Sequence, residues 1–195
     1  MAGKARGRSQ KMIYGERIRF RHIEREDLPS FAQWINDPEV REGIGPYLPM
    51  SMPNQEKWFE EMLNRPLDEQ WFALEVREGE GWQMIGNCGF FGADHRVRSM
   101  EVGIMIGDKG KWGQGYGTET MLLLNKVGFD TLNLHRIFLR VNENNPGAVR
   151  CYEKAGYVHE LRQRQAALAD GEYIDLLYMG ILRDEWLRDK ISQSN

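Results

Sequence analysis

Met100-Glu101-Val102-Gly103-Ile104-Met105-Ile106-Gly107-Asp108-Lys109-Gly110-Lys111-Trp112-Gly113-Gln114-Gly115-Tyr116-Gly117-Thr118-Glu119-Thr120 is the stretch whose reading decides the fold. It opens as an apolar strand with one carboxylate, Glu101, near its start. It then crosses a loop holding Gly107, Gly110, Gly113, Gly115 and Gly117, and leaves into an apolar-periodic helix that begins near Gly115. Strand, glycine loop and helix start in that order form an anion site. Glycines let backbone N–H groups approach a phosphate, and the helix N-terminus adds unpaired donors and partial positive charge.

Three loop types fit such a segment, besides a plain strand-to-helix turn. A Walker loop ends in Gly-Lys-Ser/Thr, and here Gly110-Lys111 is followed by Trp112. A dinucleotide fingerprint needs a glycine where Thr118 stands, so Gly113-Gln114-Gly115 matches it only in part. The third type holds a pyrophosphate that belongs to neither a nucleoside triphosphate nor NAD.

The rest of the chain supplies the frame. Its 195 residues suit one domain, 13–195, behind a basic tail, 1–12. With 26 basic and 29 acidic residues the net charge is −3, which makes no electrostatic case for nucleic acid. Cys88 and Cys151 have no metal or redox spacing and suit a reducing, cytoplasmic setting. His22, His95, His135 and His159 form no i,i+4 pair, so no metal is expected. No apolar run is long enough to span a bilayer, and the tail lacks the apolar core of a secretory signal.

Going outward, Arg17 to His22 alternates as a strand, and Glu26 to Asn36 has helical spacing, closed by Asp37-Pro38. Glu39 to Pro53 reads as a loop. Asn54 caps an expected second helix, which Pro66 stops. Trp71–Arg77, Trp82–Phe91 and Arg98–Ile106 read as strands, and the central helix runs to about Asp130. His135–Val141 is a strand of the buried kind, Asn145–Ala155 a short helix ended by Gly156, and Tyr157–Arg164 with Tyr173–Leu182 a last hairpin. The order β-α-α-β-β-β-α-β-α-β-β makes an α+β fold (a mixed α/β sheet). The strand holding Glu101 and the one beginning at His135 should lie side by side and parallel.

The short helix carries a second cluster. Asn145 and Tyr152 are seven residues apart and project from nearly one side, with Ala148 and Val149 between them; Arg150, Glu153 and Lys154 are expected to point elsewhere. Asn145 reads equally as an N-cap before Pro146, and Tyr152 as a core aromatic with its hydroxyl at the edge.

Val141 to Tyr157, with Asn145, Ala148, Tyr152 and Gly156, resembles the second signature of the GNAT superfamily of acyl-CoA-dependent N-acetyltransferases. Trp112-Gly113-Gln114-Gly115-Tyr116-Gly117-Thr118-Glu119 resembles the first, except that the family usually has Gln or Arg where Trp112 stands. Within the superfamily the chain is most similar to the RimJ/RimL-type and polyamine-acetylating branches. The resemblance implies a mostly antiparallel sheet of six or seven strands, a splay between the parallel fourth and fifth strands, and about four helices. It implies acetyl-CoA as co-substrate, its pyrophosphate on the amides of Gly113 to Thr118. The pantetheine arm would lie along Ile104, Met105 and Ile106, with a contact at Asn145. Tyr152 falls on the position of the family's common general acid.

Acetyl transfer to a primary amine needs a neutral nucleophile, oxyanion donors and a proton for the leaving thiolate. Glu101 is the candidate base, acting through a water, or an exposed strand carboxylate without that role. Trp34, Asp37 and Tyr47 are candidate walls for the acceptor, which is a protein N-terminus, a polyamine or another small amine. No nucleic acid or membrane partner is expected, and a homodimer is compatible. A non-catalytic acyl-CoA-binding module of the same fold is the second reading, and a dinucleotide-binding oxidoreductase the third.

Overall fold

The computed structural model describes residues 12–44, 48–169 and 171–193, with side chains to residue 188. The alternating apolar segments assemble into one sheet of eight strands: β1 (Ile13–Tyr14), β2 (Ile18–His22), β3 (Phe72–Glu78), β4 (Gly81–Asp94), β5 (Ser99–Ile106), β6 (Arg136–Asn142), β7 (Val158–Ala169) and β8 (Glu172–Leu182). Their order is β1-β2-β3-β4-β5-β6-β8-β7, antiparallel throughout except for β5 and β6. The architecture is the expected GNAT-like α+β sheet, and its parallel pair, expected as the fourth and fifth strands, is β5 and β6 once the short β1 is counted. The count is eight because the two-residue β1 pairs onto β2, too short a piece to leave a period.

The alternation decides which residues face which layer. On one face, Ile18, Phe20, Leu74, Val76, Ile85, Phe90, Met100, Val102, Ile137 and Leu139 pack under α4 (Tyr116–Lys126) and α5 (Pro146–Lys154). On the other, Ala73 and Met105 pack with Ile23, Leu28, Phe31, Val40, Phe59 and Met62 from α1 (Leu28–Asn36), α2 (Pro38–Glu42), α3 (Met52–Leu63) and the segment ahead of them. Fully burying one such Phe or Leu contributes roughly 1.5–3 kcal/mol. Between the helices of the first face, Tyr157 Oη donates to Asn125 Oδ1 at 2.7 Å and Asn125 Nδ2 donates to the Ala155 carbonyl at 3.0 Å, fastening α4 to the end of α5.

Three local expectations change. The segment after Asp37-Pro38 is not all loop: Asp37 caps α2, accepting from Glu39 N at 3.0 Å, with Pro38 at its first position. A proline that ends one helix there starts the next. The cap of α3 is Ser51, whose hydroxyl accepts from Asn54 N at 3.3 Å, and Pro53 lies inside the first turn. The central helix is α-helical only to Lys126 and continues as a π-turn over Val127–Thr131. A further helix, α6 (Arg183–Gln193), follows β8.

β5 and β6 pair only at Ser99–Arg136, Met100–Ile137 and Glu101–Phe138. Beyond Glu101 they diverge, which leaves the β6-facing edge of Val102 to Ile106 without a neighbouring strand. The gap between them is the feature on which the site is built.

Candidate active site

A cleft of about 600 Å³ fills that gap. One wall is the end of β5 (Ile104, Met105, Ile106) with the loop after it, where Trp112, Gly113, Gly115, Tyr116, Gly117 and Thr118 line the space. Gly113 and Gly115 have φ of 72° and 84°, the left-handed region that favours glycine, and these two turns aim the start of α4 at the cleft. Gly117 is needed for closeness: a Cβ there would lie 3.1 Å from Cys151 Sγ, so the first turn of α4 packs against the second turn of α5.

Arg17 braces this loop from β2. Its Nε donates to Glu119 Oε2 at 2.8 Å, its Nη1 to the Gln114 carbonyl at 3.2 Å, and its guanidinium lies 4.6 Å from the Tyr116 ring centre. Gln114 turns its side chain back, donating to the Gly110 carbonyl at 2.6 Å, and is not among the lining residues. Trp112, the departure from the family pattern, donates its indole Nε1–H to the Ile106 carbonyl at 2.8 Å. One of the three backbone positions expected for pantetheine thus already holds a bond within the chain.

The opposite wall is α5. Asn145 Oδ1 accepts from Ala148 N at 3.0 Å, so the N-cap reading is realised; its Nδ2 is beside Gly43, where a Cβ would come within 3.0 Å. Asn145 lines the cleft as well. Tyr152 is 9% exposed, packs against Tyr157 with ring centres 6.3 Å apart, and borders the cleft. Burial pushes its phenol above the ordinary tyrosine value, and the neighbouring Cys151 adds to the rise. Core aromatic and cleft hydroxyl are therefore one residue.

Arg150 and Lys154 line the cleft too, contrary to the expectation that they point elsewhere. The face of α5 turned to the cleft runs from Gly147 through Arg150 and Cys151 to Lys154, an i, i+3, i+4, i+7 stripe beside the Asn145–Tyr152 one. That stripe was legible in the spacing. Lys111, bonded to Glu78 at 2.7 Å, adds a third cation at the cleft.

Across the wide end of the gap lies α2, which contributes Glu39, Val40 and Glu42 to the lining, followed by Gly43 and Ile44 just past its end. It is tied at both ends. Lys109, beyond β5, reaches Asp37 at 2.8 Å and Glu39 at 3.0 Å; at the end of β6, Asn142 Nδ2 donates to the Glu42 carbonyl and, just past it, Asn144 Nδ2 to Glu42 Oε1, each at 3.4 Å. Asp37 is thus a cap and an ion-pair partner, its carboxyl held below the usual range chiefly by Lys109. Trp34 lies across Gly107, where a Cβ would be 2.1 Å from its ring, and neither Trp34 nor Asp37 lines the cleft. Tyr47 lies outside the described residues.

Glu101 stands at the narrow end, on the α2 face of the sheet. Both its oxygens accept from Arg140, from Nε at 2.7 Å and Nη2 at 3.1 Å, and it is not a lining residue. Glu101 and Tyr152 are therefore on opposite faces of the gap.

A splayed parallel pair, a glycine loop aimed at it and a buried tyrosine beside it define an acyl-CoA-dependent N-acyltransferase. The family model described as an acetyltransferase (GNAT) domain matches residues 17–158, and the chain belongs to that family. It is 28% identical over 176 residues to the uncharacterized N-acetyltransferase p20 of Bacillus licheniformis, covering 89% of this chain and 97% of that one. It is 30% identical over 128 residues to the spermidine N(1)-acetyltransferase of Vibrio cholerae, covering 66% and 73%. The structure of a Vibrio cholerae spermidine N-acetyltransferase in complex with CoA and spermine superposes with a TM-score of 0.80 at 25% identity, covering 89% and 99%. The protein is an acetyl-CoA-dependent N-acetyltransferase that acetylates an amine.

Proposed function

We propose that the cleft binds acetyl-CoA with its phosphates on the amides of Gly113 to Thr118, with Arg150 and Lys154 supplying countercharge, and its pantetheine along Ile104 to Ile106. The free edge of β5 offers the backbone for that arm, and Asn145 Nδ2, not consumed by the cap, offers a further donor. A free backbone N–H of the same edge serves as the oxyanion donor. Tyr152 provides the hydroxyl for the sulfur. The observation that carries this reading is that Tyr152, the glycine loop and the unpaired edge of β5 line one cleft.

In the reaction the amine nitrogen bonds to the acetyl carbon, the C–S bond breaks, and the amine proton leaves to water. A thiol has a reference pKa of about 8.5, below that of tyrosine near 10, and burial of Tyr152 widens the gap. Tyr152 therefore acts by hydrogen-bonding the sulfur as charge develops there, and solvent completes the protonation after release. Glu101 acts on the amine through a water at the narrow end, since its own oxygens are held by Arg140. An α-amine of pKa near 8 is neutral roughly a tenth of the time at pH 7, an alkylamine near 10.4 only about once in 2500, so an α-amine asks least of that base.

We take the working unit to be the single domain 13–195, of the RimJ/RimL-type branch and acting in the cytoplasm, with homodimers as a compatible state. Acetyl-CoA turnover with an amine panel tests the reading. Tyr152→Phe should lower kcat about a hundredfold, the scale of losing one hydrogen-bond donor to charge that develops in the transition state, with CoA affinity kept. An unchanged rate would remove Tyr152 from the mechanism.

A further inference from the structure

The narrow end of the gap is closed by a charged pair of a particular shape. Glu101 is the last residue of β5 to pair with β6, and Arg140 lies two residues past its partner Phe138, where the strands have begun to part. The two side chains meet across the opening, on the face that α2 covers. Glu101 is largely enclosed, its side chain 13% exposed, whereas the Arg140 side chain is 45% exposed. The bonds to Glu101 use Nε and Nη2 of Arg140, so Nη1 makes no bond to that carboxylate. Tyr178, opposite Arg140 on β8, accepts a further hydrogen bond from the guanidinium. Gly103, the next residue of β5 on this face, lies under the Trp71 ring, where a Cβ would come within 2.8 Å, and Trp71 stacks on Phe91 at 5.9 Å. On the α2 face of the narrow end a carboxylate and a guanidinium thus stand side by side, with aromatic rings along one edge.

A polyamine carries only positive charge. It would meet Glu101 already neutralised, with Arg140 repelling it from the more exposed position. A guanidinium donates well to carboxylates, and Arg140 has N–H groups beyond those that hold Glu101. We propose that the acceptor is a primary amine bearing a carboxylate a few bonds away, in chemical class an amino acid, with its amine toward Glu101 and its carboxylate on Arg140. This rests on the acetyl-transfer reading above and narrows it. Arg140 is then a specificity determinant that touches the acceptor, and Glu101 holds Arg140 in place as well as facing the amine.

Wild-type enzyme is assayed with acetyl-CoA on a set of amino acids, their carboxamides and spermidine. The expected result is a kcat/KM for the preferred amino acid at least about tenfold above its carboxamide and above spermidine, the factor that corresponds to ~1.4 kcal/mol. Arg140→Met should remove that preference, lowering the amino acid to carboxamide ratio about tenfold or more, and Arg140→Lys should restore part of it. The gain in melting temperature with CoA, which does not involve Arg140, should persist in both variants. Preference of the wild type for spermidine or for the carboxamide would overturn the proposal, as would equal loss on every acceptor in Arg140→Met. A wild-type protein that neither melts higher with CoA nor turns over acetyl-CoA with any amine would instead overturn the acetyl-transfer reading on which it rests.

Discussion

Trp112 donates its indole N–H to the Ile106 carbonyl at 2.8 Å, linking the middle of the glycine loop to the last residue of β5. Both residues line the cleft, so this bond fixes the loop against the strand within one wall. Trp112→Phe keeps the ring and loses the donor, removing a bond worth about 0.5–1.5 kcal/mol. Steady-state kinetics should show a KM for acetyl-CoA raised several-fold with kcat nearly unchanged. A kcat loss equal to the KM change would show that the loop shapes the chemical step instead.

Tyr157→Phe tests the fastening of α4 to α5. The buried Asn125 Oδ1 would lose the hydroxyl that now satisfies it, at a cost of about 1–3 kcal/mol. Thermal unfolding should show a clear drop in melting temperature. Activity at temperatures well below the transition should change much less.

Alkaline pH should destabilise the protein. Burial raises Cys88, Tyr152 and Tyr157 above their ordinary values, so the folded chain holds these protons more tightly than the unfolded one. Their contribution is complete below the unfolded values, about 8.5 for cysteine and 10 for tyrosine, and is lost as pH rises through and beyond them. Melting temperature followed from pH 7 upward should fall beyond about pH 9. A flat profile through pH 10 would mean that these groups open to water before unfolding.

The same shift shapes the rate profile. Because Tyr152 stays protonated past the ordinary tyrosine value, kcat should show no loss of the donor up to about pH 10 under conditions where the protein is folded. An alkaline limb below pH 10 that disappears in Tyr152→Phe would contradict this.

Lys109→Met removes the tie between the end of β5 and α2. The pairs to Asp37 and Glu39 are partly solvated and exposed to screening, so the effect should be modest in stability. It should appear as a rise in KM for the amine acceptor, and added salt should reproduce part of it in the wild type. Loss of acetyl-CoA affinity instead would place α2 on the co-substrate side.

How much of this was legible before folding differs residue by residue. The glycine loop, the strand before it and the helix after it were all readable, because turn chemistry and hydrophobic period act over a few residues. Gly156 ending α5 at φ 92° and the parallel pairing of β5 with β6 followed from the same local signals and the crossover between them. Pro38 misled, since a proline after Asp closes one helix and equally opens the next. Arg150 and Lys154 were visible as a stripe on α5, but nothing along the chain said that the cleft takes in both that stripe and the one holding Tyr152.

The sequence by itself determined the family, the order of the seven longer strands and of four of the helices, the pyrophosphate-type loop and the Asn145–Tyr152 face, because each is written in spacing over one or two turns. Only the tertiary structure decided that Arg140 meets Glu101 across 39 residues of chain, that Trp112 takes the Ile106 carbonyl, and that Lys109, Asn142 and Asn144 hold α2 over the gap. Those pairings depend on how far two strands diverge and which faces their side chains take. That is set by the packing of the whole sheet against two helical layers, not by any stretch of residues within it.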